Sequence, residues 1–202
     1  MSTLIDLNRV TAILFQPGAT WKKIDGEFTK PADLYKGYVL PLAAVGPVCA
    51  AIGMSVFGLR VPLVGATFRV PITSALTQAV VQYVLALVGV FVVAQVINAL
   101  APTFGGQKNS VQALKVAAYS STAAWVGGAF NLLPPLALVG LLVSLYSLYL
   151  LYAGLPVVMK APRDKAMGYT VVVIIAVVVV WLIIGAISAA FLPGYSGLEP
   201  RV

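Results

Sequence analysis

The sequence predicts an all-α integral membrane protein, a bundle of five transmembrane helices preceded by an amphipathic N-terminal segment. Of its 202 residues, 60% are hydrophobic and only 9% are charged, and the mean hydropathy is +0.98. Soluble domains contain about 45–50% apolar and about 25% charged residues. A water-soluble fold of this length cannot bury so much apolar surface, so the solvent of this chain must be lipid.

Five stretches are long and apolar enough to cross a bilayer, whose hydrocarbon core of about 30 Å requires about 20 helical residues. Lys115 is the only charged residue within them. Pro134-Pro135 separates the third stretch from the fourth and indicates a tight hairpin, because proline cannot continue a helix. The connection Arg60–Thr73 is too polar to be a span. The predicted spans are Tyr38–Phe57, Ser74–Leu100, Val111–Leu133, Leu136–Met159 and Tyr169–Leu192.

The N-terminal segment, residues 1–36, carries charges of both signs and lacks the apolar core of a signal peptide. Leu7, Val10 and Leu14 recur at helical spacing, and Pro17-Gly18 ends that helix. We expect this amphipathic segment to lie in the headgroup layer of the membrane. The alternative is a small cytoplasmic cap packed on the bundle. The expected interfacial anchors are Trp21, Lys22 and Lys23.

The bundle follows as one five-span domain, residues 37–192, and residues 193–202 form a short tail. Cytoplasmic loops of membrane proteins carry an excess of Lys and Arg. With the N-terminus in the cytoplasm, ten of the 13 Lys and Arg residues face the cytoplasm and three face the opposite side. This orientation and an odd number of spans make the tail extracytoplasmic.

Small and polar residues indicate how the spans pack. Small residues recur every three or four positions in the third and fourth spans, a pattern typical of close helix packing in lipid. Pro41 and Pro47 each remove a backbone hydrogen bond, so we expect kinks in the first span. The expected packing residues are Ala117, Ser120, Ala124, Gly127, Gly140, Ser144 and Ser147. The residues of a candidate polar cavity are Gln78, Gln82, Tyr146 and Tyr149.

The sequence contains little that supports catalysis. It has no histidine, the commonest general base and transition-metal ligand, and Cys49 is its only cysteine. No ionisable residue lies near the middle of a span, where an ion-coupled pump would carry one. We therefore predict no enzyme, and no catalytic, cofactor-binding or metal-binding residues. The net charge of +7 indicates membrane topology and contact with anionic lipid rather than with nucleic acid.

Four segments, in their order along the chain, resemble a known family. They are Pro17–Ile24, Tyr38–Pro41, Ala118–Thr122 with Pro134 downstream, and Leu145–Leu155. In these segments the chain resembles the Yip family, the Ypt/Rab-interacting multispanning membrane proteins, in its bacterial branch. The likeness covers nearly the whole chain. It implies five helices, a cytoplasmic N-terminus and no known catalytic residues.

Eukaryotic members of that family bind prenylated Rab GTPases and act in vesicle traffic and membrane shaping. Their long N-terminal region carries an aspartate-leucine-tyrosine-glycine-proline signature. Here Asp33-Leu34-Tyr35 is followed by Lys36-Gly37 without a proline, and the N-terminal region is short. The resemblance therefore does not carry Rab binding over to this chain, and it points to a bacterial inner (plasma) membrane.

Two functions of different kinds follow from these observations. The first is a non-enzymatic scaffold or adaptor in membrane organisation or trafficking-like protein interaction, with a protein partner or a second copy bound through the third and fourth spans. The second is a transporter or channel for a small neutral or lipid-like solute, although no inverted repeat is visible. An enzyme acting on lipid would need Tyr, Ser or Lys115 to carry its chemistry, and the sequence shows no such constellation.

Overall fold

The computed structural model describes residues 6–61 and 66–190, and nearly all of them are helical. Two short helices come first, and longer ones follow. The helices are α1 Leu7–Phe15, α2 Pro17–Gly26, α3 Pro31–Phe57, α4 Ile72–Leu100, α5 Ser110–Ser120, α6 Thr122–Gly128, α7 Ala137–Val158 and α8 Arg163–Ala190. Short 3-10 turns at Pro102–Phe104, Ala129–Leu132 and Pro134–Leu136 lie in the connections.

Four helical stretches of the described chain have the length and composition of membrane spans. They correspond to the predicted first, second, fourth and fifth spans. The last helix begins at Arg163, before the apolar run that defined the predicted span, because its first turn carries charged residues that hydropathy excludes. The four stretches are Pro31–Phe57, Ile72–Leu100, Pro134–Val158 and Arg163–Ile187.

The predicted third span is not among these four stretches and is interrupted at one residue, so the predicted count of five spans is not established. Helix α5 ends at Ser120 and α6 starts at Thr122, with Ser121 as a turn between them. The cause is local: the hydroxyls of Ser120 and Ser121 both donate to the carbonyl of Ala117, at 3.3 and 2.8 Å. Such bonds from Ser and Thr compete with the helical pattern and bend or break helices.

Helix α3 departs from regular geometry around its prolines. A π-turn at Tyr35–Val39 precedes Pro41, and the helical pattern is interrupted at Ala44, just before Pro47. Each proline lacks an N–H and crowds the carbonyl four residues earlier, so irregular turns are expected on its N-terminal side. A second π-turn at Gly53–Phe57 ends the helix.

The connection between α3 and α4 contains a small antiparallel β-hairpin, which the sequence analysis did not anticipate. Strand β1, Leu59–Val61, pairs with strand β2, Ala66–Phe68, and Leu59 lies opposite Phe68. None of the four candidate spans found among the described residues includes this connection, in agreement with its polar composition.

The small residues of the third and fourth spans pack against each other within one chain. A Cβ atom on Gly140 would lie 2.5 Å from the carbonyl oxygen of Gly127, so neither position has room for a side chain. The Ser147 hydroxyl accepts a hydrogen bond from the Ala124 N–H at 2.9 Å, and the Ser144 hydroxyl donates to the Gly140 carbonyl at 2.7 Å. Helices α6 and α7 are thereby held at backbone contact.

We expect Gly140→Leu to destabilise the bundle by about 1–3 kcal/mol, the usual cost of overpacking a tight interface. Gly185→Leu in α8 is the matched control, because nothing lies within 4 Å of a Cβ built there. Thermal unfolding in mild detergent should show a lower midpoint for the first variant only. Equal midpoints for both variants would contradict the close α6–α7 contact.

Candidate functional site: the N-terminal hairpin and a side cavity

Helices α1 and α2 form a helical hairpin that the chain stabilises locally. The Asp6 carboxylate caps α1 by accepting a hydrogen bond from the Arg9 N–H at 3.0 Å. Pro17 begins α2, where its fixed φ and missing N–H are tolerated. The Thr20 hydroxyl lies within 2.9 Å of the Ala12 carbonyl, which joins the two helices across the turn. We call residues 7–26 the N-terminal hairpin.

The N-terminal hairpin is packed on the bundle through an apolar face. Trp21 and Ile24 are fully buried, as is Ile13 of α1, and Val10 of α1 is nearly so. The indole of Trp21 lies over Gly154 of α7, where a Cβ would approach its ring to 2.7 Å. Trp21 therefore does not face the headgroup layer as an interfacial anchor, because α7 leaves a glycine-sized recess that holds its ring.

Lys22 and Lys23, the other expected anchors, are exposed. The face predicted from Leu7, Val10 and Leu14 is also rotated in the structure: Leu7 is largely exposed, whereas Ile13 is fully buried beside Val10. The N-terminal hairpin is thus packed on the bundle through Val10, Ile13, Trp21 and Ile24.

Polar contacts fix the end of α2 to the bundle. The ammonium group of Lys115 is buried and donates to the backbone carbonyls of Ile24, at 3.0 Å, and Glu27. Gln112 donates to the Asp25 carbonyl at 3.1 Å, and Lys160 forms an ion pair with the Asp25 carboxylate. A cation at the C-terminal end of a helix is favourable, because the free carbonyls there carry partial negative charge.

Arg9 and Glu27 close the open side of the hairpin. One guanidinium nitrogen, Nη2, donates to both carboxylate oxygens, at 2.6 and 2.8 Å, in a charge-assisted contact. It also lies 5.8 Å from the ring centre of Tyr119, within the range of a cation–π interaction. Burial alone would lower the pKa of Arg9, but the hydrogen bonds and charge of Glu27 raise it above its ordinary value.

The N-terminal hairpin runs alongside α7 rather than across its end. Asp25 pairs with Lys160 just beyond the end of α7, Trp21 lies at Gly154, and the Leu14 carbonyl accepts a hydrogen bond from Tyr146 at 3.0 Å. Tyr146 lies about 18 Å along α7 from Val158, at about 1.5 Å per residue. The turn of the hairpin therefore reaches the apolar middle of the bundle.

Part of the N-terminal segment remains exposed. The side chain of Phe15, at the turn of the hairpin, is 81% exposed, and Phe28, just after α2, is 92% exposed. Both aromatic side chains lie in or next to a hairpin that is otherwise packed on the bundle. They are therefore candidates for contact with lipid or with a partner.

A cavity of about 730 Å³ lies between α3, α4, α6, α7 and α8. Its lining is mostly apolar, with small residues of α6 and α7 on one wall. Of the residues proposed from sequence for a polar cavity, Gln82 lines it and Gln78 does not. Tyr146 and Tyr149 also lie outside the lining; their rings stack on each other with centres 5.3 Å apart. The Tyr146 hydroxyl instead donates its hydrogen bond to the N-terminal hairpin, at the Leu14 carbonyl.

Sequence reasoning missed the role of Lys115. A signal for it existed, because Lys115 is the only charge inside a predicted span and such a charge needs a partner. What the sequence did not show is that the partners are backbone carbonyls of α2. Within the described residues, no group of three or more His, Cys, Asp or Glu side chains is arranged to hold a metal ion.

Comparisons with known proteins agree on the family. The family model of the Yip1 domain matches residues 11–184 of the chain. The chain is also similar to the inner membrane protein YohC of Escherichia coli strain K12, with 26% identity over 167 residues, which covers 81% of this chain and 85% of that protein. YohC of E. coli O6:H1 matches to the same extent. No solved structure matches the chain.

The packing of Trp21 on Gly154 can be tested by labelling. In a Cys49→Ala background, which removes the only native thiol, Ile24→Cys places a buried thiol under the hairpin. We expect slow reaction with a water-soluble maleimide, and much faster reaction when Gly154→Leu is added, since its side chain would collide with Trp21. Gly185→Leu should leave the slow rate unchanged. If Gly154→Leu also left it unchanged, Gly154 would not be the recess that holds the hairpin.

Proposed function

This chain belongs to the Yip1 domain family, and from that premise we propose that it is a non-enzymatic scaffold or adaptor of a bacterial inner membrane. The relative YohC is an inner membrane protein by name, which supports the compartment. On this proposal the bundle anchors the chain in lipid, and the N-terminal hairpin presents a binding surface at the cytoplasmic face.

The observation that carries the proposal is the fixed position of the N-terminal hairpin. Trp21, Ile24 and the clamped carbonyls at the end of α2 hold it in one place on the bundle. A docking surface that is already ordered costs less conformational entropy when a partner binds. Phe28 and the neighbouring exposed lysines supply an apolar anchor with positive charge around it.

The packing of the third and fourth predicted spans argues against a partner bound through their small residues. Their small residues face each other inside one chain, as Gly127 and Gly140 do, and are not free to bind a second copy. We therefore place the partner at the N-terminal hairpin rather than on those spans. Lys22, Lys23 and Lys30 beside it are suited to anionic lipid headgroups as well.

We also propose that α5 and α6 together form the predicted third span, which brings the number of spans to five. At one end the Gln107 N–H donates to the Met159 carbonyl at 2.7 Å, next to α7 and α8. At the other end the carbonyls of Asn131 and Leu132 lie against Gly53, where α3 ends. The segment thus runs from one end of the bundle to the other. Five spans and the excess of Lys and Arg on one side support a cytoplasmic N-terminus; the predicted extracytoplasmic tail, 193–202, lies outside the described residues.

The scaffold proposal predicts a partner at Phe28. A photo-reactive phenylalanine analogue placed there should crosslink in native membranes to the same protein in repeated preparations, because the side chain is 92% exposed just after α2. The same analogue at Leu182, a 68% exposed position of α8, is the control and should yield lipid adducts. The Phe28 adduct should fall when Gly154→Leu loosens the hairpin. Only uncrosslinked monomer at Phe28 would count against a scaffold.

The orientation predicts which engineered thiols are accessible from outside. In the Cys49→Ala background, Arg69→Cys should react with a membrane-impermeant maleimide on intact spheroplasts, and Lys108→Cys should react only after lysis. Both native side chains are exposed, so access depends on the side of the membrane rather than on burial. The reverse pattern would show that the N-terminus is extracytoplasmic.

A further inference from the structure

The cavity between α7 and α8 exists because each helix packs on a different neighbour. Helix α7 lies against α6 at Gly140, and α8 lies against α4, where the side chain of Ile184 meets Gly89. The cavity of about 730 Å³ lies between these two contacts. Binding pockets for small molecules typically have about 300–1,000 Å³.

The cavity opens sideways, toward lipid. Its exposed lining residues belong to α7 and α8, so the mouth lies between these two helices. They are Ala137, Leu141, Leu145, Val178, Trp181 and Leu182. The same helices carry the apolar surface that faces the bilayer, and the mouth continues that surface without a polar rim.

The cavity is elongated along the bundle. Its lining runs along α7 from Ala137 to Leu151, which is about 21 Å at about 1.5 Å per residue. One leaflet of the hydrocarbon core is about 15 Å deep, half of about 30 Å. An extended hydrocarbon chain that enters from one membrane surface therefore fits along the cavity.

Polar groups in the lining are few, and most are already paired. The hydroxyls of Ser121, Ser144 and Ser147 make hydrogen bonds to the backbone. Within the described part of the chain, no side-chain hydrogen bond is formed by Asn131 or Gln82. Asn131 lies next to the Pro134–Leu136 turn, at the membrane-surface end of the cavity, whereas Gln82 lies about 15 Å along α4 from Ile72.

We propose that this cavity binds one acyl chain of an ester lipid from the surrounding bilayer, with the ester carbonyl accepting a hydrogen bond from the Asn131 amide. An apolar cavity of this kind does not hold ordered water, and leaving it empty forfeits the dispersion contacts of its lining. The mouth of the cavity faces lipid. An acyl chain that enters from the bilayer would therefore supply the dispersion contacts that an empty cavity lacks. The donor at the surface end lies where the ester group of such a lipid is found.

Trp125 allows a direct test, because it lines the cavity but is only 7% exposed. In full-length protein with Trp21→Phe and Trp181→Phe, Trp125 is the only tryptophan. It is reconstituted into phosphatidylcholine/phosphatidylglycerol vesicles with or without bromine atoms on the acyl chains. We expect Trp125 to lose most of its emission in the brominated vesicles, since a chain in the cavity brings the quencher into contact with it.

Matched substitutions on α4 show whether the quenching arises inside the cavity. Ala86→Phe fills the lining and should restore most of the emission, whereas Val88→Phe, on the exposed face of the same helix, should not. Ala137→Phe at the surface end is a second filling variant, in case Ala86→Phe does not fold. Asn131→Leu should weaken quenching, and Gln82→Leu should preserve it.

Two results would overturn the proposal. One is Trp125 emission that is the same in brominated and unbrominated vesicles. The other is quenching that persists in a folded filling variant, which would mean that the bromine atoms act from outside the cavity. Neither result bears on the scaffold proposal, which depends on the N-terminal hairpin and not on this cavity.

Discussion

The constraint on which this structure depends is that lipid offers no hydrogen bonds to a polypeptide backbone. Every long apolar segment must satisfy its own N–H and C=O groups, so even the valine-rich run of α8, a strand former in water, is helical. Irregular backbone is then tolerated only where other groups compensate. At Ser120–Thr122 the side-chain hydroxyls bond to carbonyls one turn back, and the Thr122 hydroxyl also meets that of Tyr38 at 2.7 Å.

The same constraint explains why small residues, rather than large apolar ones, organise the bundle. Lipid tails are as apolar as leucine, so helices gain little from burying large side chains against each other and gain more from close approach. Gly140 lets α7 reach α6, and Gly154 admits the ring of Trp21. The N-terminal hairpin thus joins the bundle by filling a recess, and Lys115 secures it with hydrogen bonds that are strong in a site shielded from water.

Those features explain what the sequence could and could not predict. Apolar runs located α4 and α7 to within two residues, because span length is a one-dimensional property of composition. The break at Ser121 and the β-hairpin at Leu59–Phe68 were missed, since both depend on local hydrogen bonds rather than on hydropathy. Trp21 was expected to face the membrane surface, but its ring lies against Gly154 of α7. That contact depends on three-dimensional packing, which the sequence does not show.

The side cavity and the N-terminal hairpin are linked through α7. That helix contacts α6 at Gly140 and Trp21 at Gly154. These two contacts fix its position without any contribution from α8. Helix α8 meanwhile packs on α4 through Ile184 and hydrogen-bonds to it where the Tyr169 hydroxyl donates to the Ile97 carbonyl. Because α7 and α8 pack on different neighbours at these points, the cavity opens between them. In the proposal made above, an acyl chain of the bilayer fills this space.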